Sequence, residues 1–378
     1  MTTTLLQRSK QFWHENGGLD TAKEIAQQPA MWCALQESLL AEMPEVTSFL
    51  GDCLADPQQR VILTGAGSSA YVGQIVVDLV NSDCAADVRA VATTSLLTHP
   101  ELYLDPAAPI LLVSFGRSGD SPESLAVIEL VRETVPAARF LNITCNAEGR
   151  LARQSSDGTS VYTLFMPAAS CDRGFAMTSS FSCMLLASLC VLCKDVDLRR
   201  LTVLAELADV ALDKWSAPIS ALADDNVERV VYLGSGPLEG LAREAALKIL
   251  ELTGGQVLAL SNSALGFRHG PKSALNGQTL VVLFGCAKPL ARRYEQDLLD
   301  ELVRDKVAGR IVTVGPGGEL GLDVPAWPDA WLAPLWLLMA QQFALHRSAR
   351  LGLRPDNPFI NGTVNRVVRG VTIYRQEQ

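Results

Sequence analysis

The sequence predicts an α/β protein made of two tandem, doubly wound parallel sheets behind an N-terminal helical extension. Three observations lead there. Apolar, strand-like runs alternate with helix-length segments. Three of those runs return in order later in the chain, at Arg60 and again at Arg229, a step of 169 positions. The 378 residues also exceed the length at which a single core stops growing, roughly 250 residues.

The extension covers residues 1–50. Within it Thr21-Ala-Lys-Glu24 has the spacing of a capping box, and Pro29 reads as a helix stop. The first domain, 51–205, opens with Arg60-Val-Ile-Leu-Thr-Gly-Ala-Gly67, an apolar run ending in a tight turn before a helical pattern. Its counterpart in the second domain, 206–378, is Arg229-Val-Val-Tyr-Leu-Gly-Ser-Gly236. Ile110-Leu-Leu-Val-Ser-Phe-Gly116 returns as Thr279-Leu-Val-Val-Leu-Phe-Gly285, and Phe140-Leu-Asn-Ile-Thr144 returns approximately as Arg310-Ile-Val-Thr-Val314. Continuous β-rich runs of this kind belong to parallel strands buried on both faces. Ser124 to Val135 and Leu290 to Lys306 supply helices between them, completing βαβ units.

Composition narrows the partners. The net charge of −9 argues against a nucleic acid or an anionic membrane, which are met by cationic surfaces. The nine cysteines are scattered and odd in number, and Met1 to Trp13 lacks a charged segment followed by an apolar one, so a reducing cytoplasm is expected. Cys190 and Cys193 read as core thiols on a helix. The longest apolar stretches, Met184 to Cys193 and Trp331 to Met339, fall short of the ~20 residues a membrane span needs.

Ligands of open α/β sheets gather where loops leave the carboxyl ends of the strands. After the second repeated strand lies Ser114-Phe-Gly-Arg117-Ser118-Gly-Asp-Ser121-Pro122. Ser121 is placed as an N-cap with proline at the first helical position, so the helix presents N–H groups and its positive dipole end to this loop. That combination suits a phosphate. The equivalent loop of the second domain, Gly285-Cys-Ala-Lys-Pro289, holds no hydroxyl. Thr64-Gly-Ala-Gly67-Ser68-Ser69-Ala70 also fits a dinucleotide-binding turn, but the strand that should end in a ribose-binding acid reads Val88-Arg-Ala-Val-Ala-Thr-Thr94. Ser68 and Ser69 fit better as further hydroxyls facing an anionic ligand.

Candidates for proton chemistry lie in the second domain. Glu244, Lys248 and Glu251 share one helical face by spacing. Glu251 sits in the last turn before Thr253-Gly254-Gly255, where the helix dipole disfavours a carboxylate, a breach of a local rule of the kind that concentrates at functional sites and suits a candidate general base. His269 follows in the loop Leu265-Gly-Phe-Arg268-His269-Gly270-Pro271-Lys272, presented as a proton shuttle.

These residues resemble the sugar-isomerase (SIS) family, first through the isomerase half of glucosamine-6-phosphate synthase, whose base-bearing helix and histidine loop are similar to Ala-Leu-Lys248-Ile-Leu-Glu251 and Arg268-His269-Gly-Pro. The likeness is closer to the galactosamine-6-phosphate deaminase/isomerases, also called tagatose-6-phosphate ketose/aldose isomerases. It is carried by Ile62-Leu-Thr-Gly-Ala-Gly-Ser, Ser114-Phe-Gly-Arg-Ser-Gly, Asp172-Arg-Gly-Phe-Ala-Met-Thr-Ser-Ser180, Gly266-Phe-Arg-His-Gly-Pro-Lys-Ser273 and Gly362-Thr-Val-Asn-Arg-Val-Val368. The resemblance implies that Ser68, Ser69, Ser114, Arg117, Ser118, Ser121 and Thr178 hold a phosphorylated amino sugar or ketose. It implies that Glu251, beside Lys248, moves a proton between C2 and C1, and that His269 opens the ring, with no metal or cofactor.

In relatives the histidine comes from a neighbouring subunit, so a homodimer or larger assembly is expected. Tail residues Asn365 and Arg366 are candidates for the same site. Arg369 stands where the synthase has a lysine, and Gly116 where it has a serine. No glutamine-hydrolysing domain or N-terminal cysteine precedes the isomerase part, so deamination is the expected direction. The alternatives are a plain ketose/aldose isomerase, a deaminase for the gluco epimer, and a non-catalytic phosphosugar sensor, against which Glu251 and His269 together speak.

Overall fold

The computed structural model describes residues 4–154 and 159–374. A short hairpin, β1 (Thr4–Leu5) and β2 (Arg8–Ser9), leads into α1 (Lys10–Glu15), α2 (Leu19–Ala26) and α3 (Gln28–Leu50). Then follow β3 (Arg60–Thr64), α4 (Ser68–Asp83), β4 (Asp87–Ala90), α5 (Thr93–Thr98), β5 (Ile110–Gly116), α6 (Pro122–Thr134), β6 (Arg139–Thr144), β7 (Val161–Phe165), α7 (Ser179–Leu192) and α8 (Arg199–Leu222). The remainder comprises β8 (Arg229–Leu233), α9 (Pro237–Leu252), β9 (Leu258–Asn262), β10 (Thr279–Phe284), α10 (Pro289–Asp305), β11 (Arg310–Val314) and α11 (Asp329–Arg350). Two compact units emerge: one of residues 31–171, 179–201 and the tail from Asn361, the other of 1–30, 172–178 and 202–360.

The first unit holds a parallel sheet in the order β4-β3-β5-β6-β7. Its Val, Ile and Leu runs are buried on both faces. Ile62, Leu112 and Phe140 face Val127, Ile128 and Val131 of α6 in one core cluster. Against α4 lies α7, which is buried along its whole length and carries Cys190. Burial pushes the Cys190 thiol up beyond its ordinary range, as expected of a core thiol. Cys193 departs from that expectation: it is only half-buried, one residue past the end of α7, and burial with Asp83 beside it pushes its thiol up to about 12.

The second unit holds the parallel sheet β11-β10-β8-β9. One core joins Val231, Leu233, Val281 and Leu283 to Leu298 and Leu302 of α10. α11, whose Trp331 to Met339 stretch is buried, packs on α9. Among the described residues no helix is long and apolar enough to cross a membrane.

Both sheets place their second strand on one side of the first, and the third and fourth on the other. Their opening turns also share a conformation. Gly67 has φ 57° and ψ −129°, and Gly236 has φ 57° and ψ −127°. Two residues before each stands a glycine that admits no side chain, because a Cβ at Gly65 would lie 2.6 Å from that of Ser69, and one at Gly234 2.2 Å from the Leu238 carbonyl oxygen.

The extension departs from its expected form. Thr21 and Glu24 lie inside α2 and form no capping box. The Thr21 N–H and hydroxyl both donate to Asp356 Oδ1, at 2.8 and 2.7 Å, and the Asp20 N–H donates to Asp356 Oδ2, so a distant aspartate caps the helix. Glu24 instead accepts the backbone N–H groups of Arg173 and Gly174, at 2.5 Å and 3.2 Å. Burial, with Asp172 close by, pushes its carboxyl up to about 7. Pro29 does not stop a helix but sits in the first turn of α3, where its missing N–H costs nothing.

Candidate active site

In the first unit, β5 delivers Ser114 and the loop that follows to the carboxyl edge of the sheet. The loop is locked rather than free. The Leu151 N–H donates to the Gly119 carbonyl at 2.9 Å, Asn146 Nδ2 to the Ser118 carbonyl at 2.9 Å, and Arg150 N–H to the Asp120 carboxylate at 3.0 Å. The Ser118 hydroxyl accepts the Asp120 N–H at 3.2 Å. Arg117, buried, donates to the Arg366 carbonyl at 3.2 Å, so the tail residue predicted for the site does meet the loop through its backbone. Among the described residues Asn365 bonds within the tail, donating to the Gly362 carbonyl.

Ser121 occupies the N-cap position of α6 with Pro122 behind it, but its hydroxyl donates to Glu123 at 2.7 Å instead of capping a backbone N–H. Ser68 and Ser69, both buried, begin α4. Thr178 lies in the other unit. Its N–H and hydroxyl are committed to Asp172, each at 2.7 Å, because the turn from 172 to 178 closes on that carboxylate.

A polar row beneath this edge was missed in the sequence. Parallel register pairs Thr64 with Ser114, Ser114 with Asn142 and Asn142 with Thr163, so four polar side chains cross four strands on one face. Thr64 Oγ1, Ser114 Oγ and Asn142 Oδ1 have no hydrogen-bond partner among the described residues, nor does the buried hydroxyl of Thr93. Unpaired buried polar atoms are costly and rare. They therefore mark Thr64, Thr93 and Asn142 as additional candidates beside Ser114. The signal was available, since Asn142 interrupts an apolar run and Thr64 ends one, but their alignment depends on register.

Gly149 supports the same loop. A Cβ there would stand 2.3 Å from the Ser118 carbonyl oxygen. Gly149→Ala is expected to displace Ser118 and weaken inorganic phosphate binding by about 10-fold or more, measured by calorimetry; unchanged affinity would detach this loop from anion binding.

In the second unit α9 brings its three charged residues together. Lys248 Nζ lies 3.2 Å from Glu244 Oε1 and 2.6 Å from Glu251 Oε2. Lys248 and Glu244 are fully buried, whereas the Glu251 side chain is 21 % exposed. Burial alone would lower the Lys248 pKa, but Glu244 and Glu251 outweigh it and hold it above its ordinary value. The carboxylate at the unfavourable end of the helix is thus compensated by a buried ammonium. Only its Oε2 is engaged among the described residues, leaving the other oxygen to take a proton from a ligand.

His269 ends a single helical turn, Gly266–Arg268, and is exposed; its imidazole makes no hydrogen bond among the described residues. The loop itself is anchored. Arg268 pairs with Asp297 at 2.9 Å and Glu301 at 2.8 Å, and Lys272 pairs with Glu301 and, at 2.6 Å, with Asp305, all on α10. No group of metal-binding side chains occurs among the described residues.

No family model matches the chain. A protein of Streptomyces coelicolor, provisionally assigned as D-galactosamine-6-phosphate deaminase AgaS, is 44 % identical over 371 residues, covering 95 % of this chain and 96 % of its own. The D-galactosamine-6-phosphate deaminase AgaS of Shewanella sp. strain ANA-3 is 41 % identical over 364 residues, with 95 % and 92 % covered. The crystal structure of tagatose-6-phosphate ketose/aldose isomerase from Escherichia coli matches with a TM-score of 0.88 and 38 % identity over 95 % of this chain and 98 % of that one. Parallel sheets of this design, ending in a serine loop, define an α/β protein of the phosphosugar-isomerase fold. At this identity and coverage, the chain belongs to the AgaS family of D-galactosamine-6-phosphate deaminases.

Proposed function

We propose that this chain converts D-galactosamine 6-phosphate and water to D-tagatose 6-phosphate and ammonia. The observation that carries the chemistry is the Lys248–Glu251 pair, a half-buried carboxylate fixed by a buried ammonium with one oxygen left open. Ser68, Ser69, Ser114, Arg117, Ser118 and Ser121 are assigned to the phosphosugar, with Thr178, Asn365 and Arg366 as further candidates. His269 opens the ring to the C1 aldehyde. Glu251 removes the C2 proton to give the enolamine and returns it to C1, forming a ketimine at C2. Water adds to that carbon and ammonia leaves, so the atoms balance without an oxidant.

The name of the Escherichia coli structure favours a second reading, ketose/aldose isomerisation without nitrogen release. Ammonia and ketose formation across galactosamine 6-phosphate, glucosamine 6-phosphate and galactose 6-phosphate separates these. Ammonia with the galacto amino sugar supports the first reading; interconversion of galactose 6-phosphate with tagatose 6-phosphate alone supports the second.

We further propose that 51–205 and 206–378 are tandem SIS domains behind the extension 1–50, a reading supported by the common strand order and the matching turns at Gly67 and Gly236. The exposed imidazole on a rigidly anchored loop supports a homodimer in which His269 serves the neighbouring subunit's substrate. Mixing inactive Glu251→Gln and His269→Asn proteins under subunit exchange then restores about a quarter of wild-type turnover, since half the dimers are mixed and each has one intact site. No recovery, with exchange verified, would assign the histidine to its own chain.

A further inference from the structure

We infer that the second unit carries a binding site for a small phosphorylated sugar or polyol, built by the N-terminal hairpin against α8 and α11 and sharing no residue with the candidate active site. The cavity has a volume of about 240 Å³ and is lined by Arg8, Phe12, Ser220, Asp224, His346 and Arg350 among others. That is somewhat below the roughly 300–1,000 Å³ of pockets for drug-sized ligands, the scale of a small sugar phosphate.

The lining is polar in a way the fold does not require. His346 is 4 % exposed, and its Nε2 has no partner among the described residues. The ring lies against the Leu6 backbone and beside Trp13, 5.2 Å away. Burial and the Arg8 charge hold its pKa down at about 4, so near neutral pH it offers a neutral ring nitrogen. Arg8 donates to Ser220 Oγ at 3.4 Å and lies over the Phe12 ring, but no carboxylate pairs with it among the described residues and its buried Nε is unsatisfied. Arg350 pairs with Asp224 at 3.4 Å. Two guanidinium groups against one carboxylate give a local cationic excess on a chain of net charge −9, as a phosphate ester requires. Ser220, Asp224 and the His346 nitrogen are available to the hydroxyls of the same ligand.

The hairpin is also strained in making this site. Leu6 and Gln7 have φ of 48° and 65°, a left-handed pair that two-residue hairpins normally assign to asparagine and glycine. That turn carries the Leu6 backbone to His346 and Arg8 to the cavity.

The chain has only four histidines, His14, His99, His269 and His346, so nitrogen NMR of ¹⁵N-imidazole-labelled full-length protein reads the site directly. The His346 signal, identified by its loss in His346→Gln, should shift saturably with sorbitol 6-phosphate and more weakly with inorganic phosphate, but not with sorbitol. Arg8→Gln should weaken that response by about 10-fold or more, and Ser118→Ala should leave it unchanged. Arg350→Gln, at a more exposed residue, provides the same reading with a smaller loss if Arg8→Gln does not fold. A His346 signal that stays still, responds equally to sorbitol, or responds in Arg8→Gln but not in Ser118→Ala would overturn the inference.

Discussion

Glu251→Gln is expected to reduce ammonia release from D-galactosamine 6-phosphate by about 10²- to 10⁴-fold, the range over which a positioned general base contributes. The amide keeps the size of the side chain and still accepts a hydrogen bond from Lys248, so KM and the unfolding midpoint should move little. The discriminating measurement is exchange of the C2 proton with deuterated solvent: it stops in the variant if Glu251 is the base. Exchange at the wild-type rate in a folded Glu251→Gln protein would remove the assignment.

The second large effect is on folding. Lys248 and Glu244 are both fully buried, and removing the ammonium leaves a carboxylate in the interior without its counter-charge. Breaking such a pair costs about 3–5 kcal/mol, so Lys248→Met should lower the urea midpoint severely. Replacing both partners by apolar residues avoids the stranded charge. The double variant Lys248→Met/Glu244→Leu should therefore regain most of the loss while remaining inactive, because Glu251 has lost its partner. Equal stability of single and double variants would show that the pair is not coupled.

Much of the scaffold was legible because its signals are local. Buried parallel strands are continuous apolar runs, and helices expected at Ser124 to Val135 and Leu290 to Lys306 appear as Pro122–Thr134 and Pro289–Asp305. The Glu244, Lys248 and Glu251 face follows from helical spacing alone. What escaped was set by partners remote in the chain. Thr21 and Glu24 have the spacing of a local cap, yet each serves a group far away, Asp356 and the 173–174 turn. Ser121 stands at its cap position while its hydroxyl donates to Glu123. The row from Thr64 to Thr163 needs strand register, and the anchoring of the His269 loop needs the acidic face of α10. Neither is written in any single segment.

The clasp between Asp356 and Thr21 joins groups 335 positions apart. During synthesis α2 emerges long before its capping carboxylate, which follows 335 residues later. Contacts of such separation form late, after the entropy of closing a long loop has been overcome by nearer ones. The amino-terminal arm should thus be the last piece of its unit to settle, and nascent chains arrested before Asp356 should leave that arm open to proteases while the first sheet already resists them.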